Sequence, residues 1–236
     1  MTSSPHLEYE INNDPEAAYL MIKLKSLEKA FIKISNLNLK DASLEVGKSV
    51  ISDSLDLHLN FPLTSNLSIH EITAPKLPGS VYLIPDILGS VEYHSLDETS
   101  GIITQIFSFL ACSENVQLRV MSSPDIKQFS QGDSFFLHLL GKGDLWLNYY
   151  GNIQEISVQG NYLINLSYVV AFQDTLNYEI QQVEGLSLGG LQIGTVGEHN
   201  LFCHFQGTGK IWIQSRHRYA LLIFLHLLLI KITVIF

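Results

Sequence analysis

The chain has 236 residues, 46% of them hydrophobic and 16% charged, with a formal net charge of −9 from 14 basic and 23 acidic side chains. That composition fits a globular protein with a sizeable apolar core. It excludes the clustered positive charge that phosphate-backbone binding needs, since the densest basic run is Arg216-His217-Arg218. Nucleic acid is therefore not an expected partner, and an anionic membrane surface would repel the chain.

The segment Met1 to Glu16 is polar and acidic, unlike a secretory signal or an Arg-rich transit peptide. Without a leader, Asn66-Leu67-Ser68 and Asn165-Leu166-Ser167 are chance matches to glycosylation acceptors. Lys23 to Lys33 reads as helix or strand, and the alternation and β-branching of Ala30-Phe31-Ile32-Lys33-Ile34 favour strand. The two cysteines, Cys112 and Cys203, lie in neither a CxxC nor a Cys/His ligand spacing. They are expected as buried free thiols in a reducing cytoplasm.

Further along the chain one pattern recurs. Gly79-Ser80-Val81-Tyr82-Leu83, Gly143-Asp144-Leu145-Trp146-Leu147 and Gly209-Lys210-Ile211-Trp212-Ile213 share a glycine, an apolar residue, a large aromatic and a second apolar residue, at offsets of 64 and 66. Upstream, Phe136, His138, Gly141 and Gly143 recur as Phe202, His204, Gly207 and Gly209. The paired glycines Gly141/Gly143 and Gly207/Gly209 are read as hairpin turns. Ala111 to Val120 matches Ala171 to Ile180 at an offset of 60, and Val50 to Leu59 fits the same alternation after one gap. Period-2 alternation marks half-buried strands. The expected fold is all-β, from about three tandem modules of roughly 60 residues packed into a common core. A single domain spans 1–218, with modules near 30–78, 79–142 and 143–218, and an apolar tail occupies 219–236.

Catalytic motifs are weak. Gly185-Leu186-Ser187-Leu188-Gly189 satisfies the GxSxG pattern, but a nucleophile elbow needs a helix directly after the serine and an acid and a histidine downstream. Gly189-Gly190 breaks such a helix, no Asp follows Ser187, and Glu198 and His199 are adjacent, so the segment reads as a glycine-rich loop. His138 and His204 occupy equivalent positions without the HxH pair of a cupin metal site, and they read as satisfied, partly buried imidazoles. Glu114 and Asp174 are equivalent acids expected at solvated turns, while Tyr82, Trp146 and Trp212 are expected in the core. No catalytic, cofactor-binding or metal-binding residue is assigned.

The wording of the second and third modules is more specific. Gly141-Lys142-Gly143-Asp144-Leu145-Trp146-Leu147 with Tyr150-Gly151, then Val170-Ala171-Phe172-Gln173-Asp174-Thr175-Leu176-Asn177-Tyr178-Glu179, then Gly207 to Arg216, resembles the altered inheritance of mitochondria 24 family. The resemblance runs from about Pro75 to Arg216 and is faint earlier, around Val46-Gly47-Lys48. It implies a β-sandwich of the double-stranded β-helix kind, similar in fold to the tryptophan-RNA-binding attenuation protein, without that protein's RNA function. It carries no catalytic residues. Mitochondrial members are associated with inner-membrane organisation, and the absence of a transit peptide points to a bacterial-type, cytoplasmic member.

The segment Tyr219 to Phe236 departs from the family pattern. A helix of about 18 residues would reach roughly 27 Å, enough for a bilayer core, but His226 and Lys231 lie within it. An anchor, a docking segment and an altered C-terminus remain open for it. The expected function is a non-enzymatic structural or scaffolding role, acting as a homo-oligomer or through a protein partner. The alternative is a small-molecule-binding β-sandwich with its pocket near Trp146 and Trp212.

Overall fold

The computed structural model describes residues 6–14, 18–50, 68–85, 89–121, 136–182 and 201–216. The expected strand Val50–Leu59, beyond Val50, lies outside them, as do the Gly185–Gly189 motif and the tail 219–236. The protein is all-β, and its strands pair antiparallel.

The first strands are β1 (Glu8–Asn12), β2 (Tyr19–Leu24), β3 (Lys29–Lys33), β4 (Leu37–Lys40), β5 (Glu45–Ser49), β6 (Ile69–Thr73) and β7 (Gly79–Leu83). Lys23 to Lys33 is extended, as its β-branched alternation predicts. A turn at Lys25–Glu28 divides it into β2 and β3, closed by Glu28 N–H on the Lys25 carbonyl at 3.0 Å. The chain continues through β8 (Gly89–Asp97), β9 (Ile102–Gln105), β10 (Phe109–Ser113), β11 (Val116–Met121) and β12 (Phe136–Tyr150). It ends with β13 (Ile153–Asn165), β14 (Val169–Gln173), β15 (Asn177–Gln182) and β16 (Leu201–Gln214). Short 3-10 turns, Ile34–Asn36 and Leu166–Tyr168, lead into β4 and β14.

One sheet has the order β1-β2-β7-β4. A larger one follows β13-β16-β14-β9-β12-β10-β3-β6-β5, with β8 and β11 on β12 and β15 on β16. Opposite each of the three aromatic residues the pairing slips by one residue. Leu37 and Leu39 face Leu83 and Tyr82, Phe109 and Ala111 face Leu147 and Trp146, and Val169 and Ala171 face Ile213 and Trp212. Each of these is a β-bulge, which adds one residue to one strand and bends it. The backbone N–H two residues before each aromatic is tied in the same way. Ser80 N–H donates to Asp41 Oδ2 at 2.6 Å, Asp144 N–H to Ser113 Oγ at 2.9 Å and Lys210 N–H to Gln173 Oε1 at 2.9 Å.

The strands β10 and β14 are hydrogen-bonded on both edges, β10 to β12 and β3, β14 to β16 and β9. Packed on both faces as well, they are written as unbroken apolar runs, Phe109-Leu-Ala-Cys112 and Val169-Val-Ala-Phe172, rather than as an alternation.

The glycine pairs read as hairpin turns lie instead inside strands. In β12, residues 136–141 pair with β11, whereas residues 142–150 pair with β8, so the strand changes partners at Gly141. A module boundary at 142/143 would cut this continuous strand. β16 does the same at Gly207, leaving β15 before that residue and gaining β14 after it. Gly141 (φ 104°), Gly207 (φ 114°) and its cross-strand partner Gly160 (φ 107°) take backbone angles that a Cβ disfavours, which bends a long strand without ending it. A glycine in a turn and a glycine in such a bend look alike in sequence.

Among the described residues, three apolar clusters form the core. The first gathers Leu20, Ile22, Ile32, Ile72, Val81 and Leu83 under Trp146; the second gathers Phe109, Leu137, Leu145 and Leu147 with Trp212; the third gathers Phe136, Phe172, Phe205 and Ile211. Trp146 and Trp212 thus each sit in the cluster formed mainly by strands earlier in the chain.

Ala at Gly160 meets no atom within 4 Å, so Gly160→Ala isolates backbone strain, on the order of 1–3 kcal/mol. At Gly141 the new Cβ also falls 2.8 Å from the Asn115 carbonyl oxygen. Urea titration is expected to show Gly141→Ala losing more stability than Gly160→Ala; equal losses would rule out this steric account.

Candidate functional site

The most site-like feature is Asp144 on β12, whose side chain is wholly buried. An isolated carboxylate there would be prohibitively costly, so its oxygens must be fully occupied. Oδ1 accepts from His6 Nδ1 at 2.7 Å and from the Tyr93 hydroxyl at 2.9 Å, and Oδ2 accepts from Leu7 N–H at 2.7 Å. Tyr9 of β1 stacks on Tyr93 at 4.8 Å and meets the edge of Trp146 at 5.3 Å. Burial, and then the Asp144 carboxylate, push the Tyr93 hydroxyl up to about 12. With both oxygens engaged in fixed bonds, Asp144 latches the N-terminal strand onto β8 and β12.

Asp174 was expected at a solvated turn. It does lie in the turn after β14, but it is half-buried and its carboxylate bridges two other segments. Oδ2 lies 2.9 Å from His138 Nε2 on β12, and Oδ1 accepts from Gly101 N–H at 2.9 Å. Asp174 N–H in turn donates to the Gly101 carbonyl at 3.1 Å. A side chain at position 101 would collide with this pair, its Cβ 2.5 Å from Asp174 Oδ2 and 2.7 Å from His138 Nε2. The partly buried, satisfied reading of His138 holds, and the carboxylate that satisfies it comes from the turn after β14. His204 is partly buried on β16 and Glu114 is exposed in the turn after β10. Among the described residues, no three His, Cys, Asp or Glu side chains are grouped as metal ligands would be.

His94 on β8 was not flagged from sequence. Its ring lies edge-on to Trp212 of β16 at 4.7 Å, and it is buried with no hydrogen-bond partner on Nε2. Burial drives it down to about 4, with Glu155 opposing that shift and Lys210 adding to it. On the same strand, burial and Glu155 push the Glu92 carboxyl up. Cys112 and Cys203 are buried free thiols, both pushed up by burial. A raised thiol is a poor nucleophile.

Of the three equivalent aromatics, Trp146 and Trp212 are buried and Tyr82 is partly exposed against Tyr19 at 6.0 Å. The two tryptophans belong to different clusters. Among the described residues, no helix is long and apolar enough to cross a membrane.

Fold and site together define an antiparallel β protein in which carboxylate–imidazole contacts close joints between segments. The chain belongs to the mitochondrial biogenesis AIM24 family, whose model matches residues 9–216. A crystal structure of a Streptococcus pyogenes protein is similar in fold, with a TM-score of 0.73 and 19% identity over 93% of this chain and 98% of that one. No curated protein matches the sequence.

Because His94 is held neutral when folded, the unfolded chain binds an extra proton between pH 6.5 and about 4. Its contribution is present above pH 6.5 and is lost as the pH falls toward 4, on the order of 3 kcal/mol in all. Glu92 acts with opposite sign, since its raised carboxyl takes up a proton more readily in the folded state. In a Glu92→Gln background, His94→Gln is therefore expected to flatten the fall of unfolding free energy between pH 6.5 and 4; an unchanged slope would mean that another group causes it.

Proposed function

We propose that this member of the AIM24 family is a non-enzymatic structural or scaffolding protein that works through its sheet surfaces and edges. Three copies of one strand unit, 19–83, 89–150 and 153–214, make up its frame. The repeated bulge supports this grouping: Leu39, Ala111 and Ala171 stand opposite Tyr82, Trp146 and Trp212 in the same slipped register. Successive units join by adding one more ladder, β3 to β10 and β9 to β14.

The observation that carries the non-enzymatic reading is the occupancy of the two most site-like carboxylates. Asp144 and Asp174 each hold separate segments with both oxygens, which leaves neither free to move a proton to a substrate. Buried tryptophans in separate clusters support a packing role over a shared ligand pocket. Free buried cysteines support a reducing compartment such as the cytoplasm.

Replacement of these groups tests the reading. Asp144→Asn leaves buried donors poorly matched and is expected to cost about 1–3 kcal/mol, and His138→Gln should also lower the melting temperature. Neither should alter turnover in a broad screen of ester, amide and phosphate hydrolysis. Turnover by the parent protein that disappears in either variant at an unchanged melting temperature would overturn the proposal.

A further inference from the structure

The N-terminal strand ties the two sheets together. Its backbone belongs to the smaller sheet, where β1 pairs with β2 from Glu8 opposite Lys23 to Asn12 opposite Tyr19. Its side chains and flanking residues reach the larger sheet instead. Before β1, His6 Nδ1 and Leu7 N–H hold Asp144 of β12. Within it, Tyr9 stacks on Tyr93 of β8 and meets the edge of Trp146 of β12. After it, the Asn13 amide acts as a substitute backbone for Val91 of β8. Nδ2 donates to the Val91 carbonyl at 2.9 Å, and Oδ1 accepts the Val91 N–H at 2.8 Å.

The core depends little on this strand. Leu20, Ile22 and Leu24 of β2 are buried, and β2 keeps β7 on its other edge. In β1, by contrast, Glu8, Tyr9 and Glu10 are exposed, and Leu7 and Ile11 are only partly buried against the cluster. The buried Asp144 carboxylate does depend on it, since two of its three donors come from this segment. What the segment covers has the layout of a peptide site. It offers a sheet edge for a backbone, a buried acid for a cationic or N–H donor, and two rings for an aromatic side chain three residues later.

We propose that the recess formed by Asp144, Tyr93, Trp146 and the edge of β2 is a peptide-binding site, and that residues 6–13 are its built-in, displaceable ligand. The class of ligand it takes is an extended segment patterned like His6-Leu7-Glu8-Tyr9, a cationic or hydrogen-bond-donating residue followed at the third position by an aromatic one. Low burial of β1 keeps the free energy of local opening small, while the desolvated carboxylate favours refilling by a segment with the same donors. Such a segment keeps Asp144 engaged, so the inference goes beyond the non-enzymatic reading without contradicting it. A protein without turnover can still fail to bind peptide, and the two are therefore separately testable.

The probe is a dye-labelled synthetic peptide with the sequence of residues 6–14. Added to the full chain carrying His6→Ala and Asn13→Ala, which loosens both ends of the built-in segment, it is expected to bind saturably by fluorescence anisotropy. Alanine in place of the peptide's histidine should weaken binding at least about tenfold, as loss of a hydrogen bond to a charged group does. Asp144→Asn in the protein should erase that difference. Hydrogen exchange of the parent protein gives a readout free of any substitution: β1 amides bonded to β2 are expected to exchange at least about tenfold faster than those between β2 and β7. A peptide that does not bind the loosened variant overturns the proposal. So does binding indifferent to the peptide's histidine, or a β1 that exchanges as slowly as β7.

Discussion

Every strand in this protein is governed by the need to satisfy backbone N–H and C=O groups on both of its edges. β10 and β14 meet that need on both edges: β10 is bonded to β12 and β3, and β14 to β16 and β9. Because their edges are closed, their side chains are free to be apolar on both faces, and the core can run through them without interruption. The bulges opposite Tyr82, Trp146 and Trp212 bend β4, β10 and β14 in the same way.

Polar chemistry is subordinate to that frame. Asp144 is tolerated in the interior because three donors reach it, and in return it helps to fix the start of the N-terminal strand, whose ladder is with β2. The His138–Asp174 pair does similar work between β12 and the end of β14. His94 is the exception: its ring is packed against Trp212 and kept uncharged by burial, with Nε2 left without a hydrogen bond, so it brings acid sensitivity.

Much of the architecture was legible in the residues, and the failures have physical causes. The spacing of Tyr82, Trp146 and Trp212 marked positions that do share a register, because an aromatic opposite a bulge is a strong local requirement. Gly141 and Gly207 were misread as turns because composition reports a permissive backbone angle but not whether the chain reverses there. The acidic, polar N-terminal segment concealed β1, though Glu8-Tyr9-Glu10-Ile11 alternates; its Tyr9 packs only once Tyr93 and Trp146 are in place. Asp174 looked solvated because its partners, His138 and Gly101, lie 36 and 73 residues away in sequence.

The placement of the long strands has a consequence for biogenesis. The strands β7, β12 and β16 each follow their partners in the chain: β7 pairs with β2 and β4, β12 with β8, β9, β10 and β11, and β16 with β13, β14 and β15. All of these partners are synthesised before the strand they join, and two further ladders likewise reach backwards, from β10 to β3 and from β14 to β9. Vectorial synthesis can therefore close the protein progressively, with Trp146 and then Trp212 sealing hydrophobic clusters begun by residues already emerged. A non-local β topology, which would ordinarily fold slowly and expose its strands to aggregation, is thereby ordered so that a nascent chain rarely has to wait for sequence not yet made.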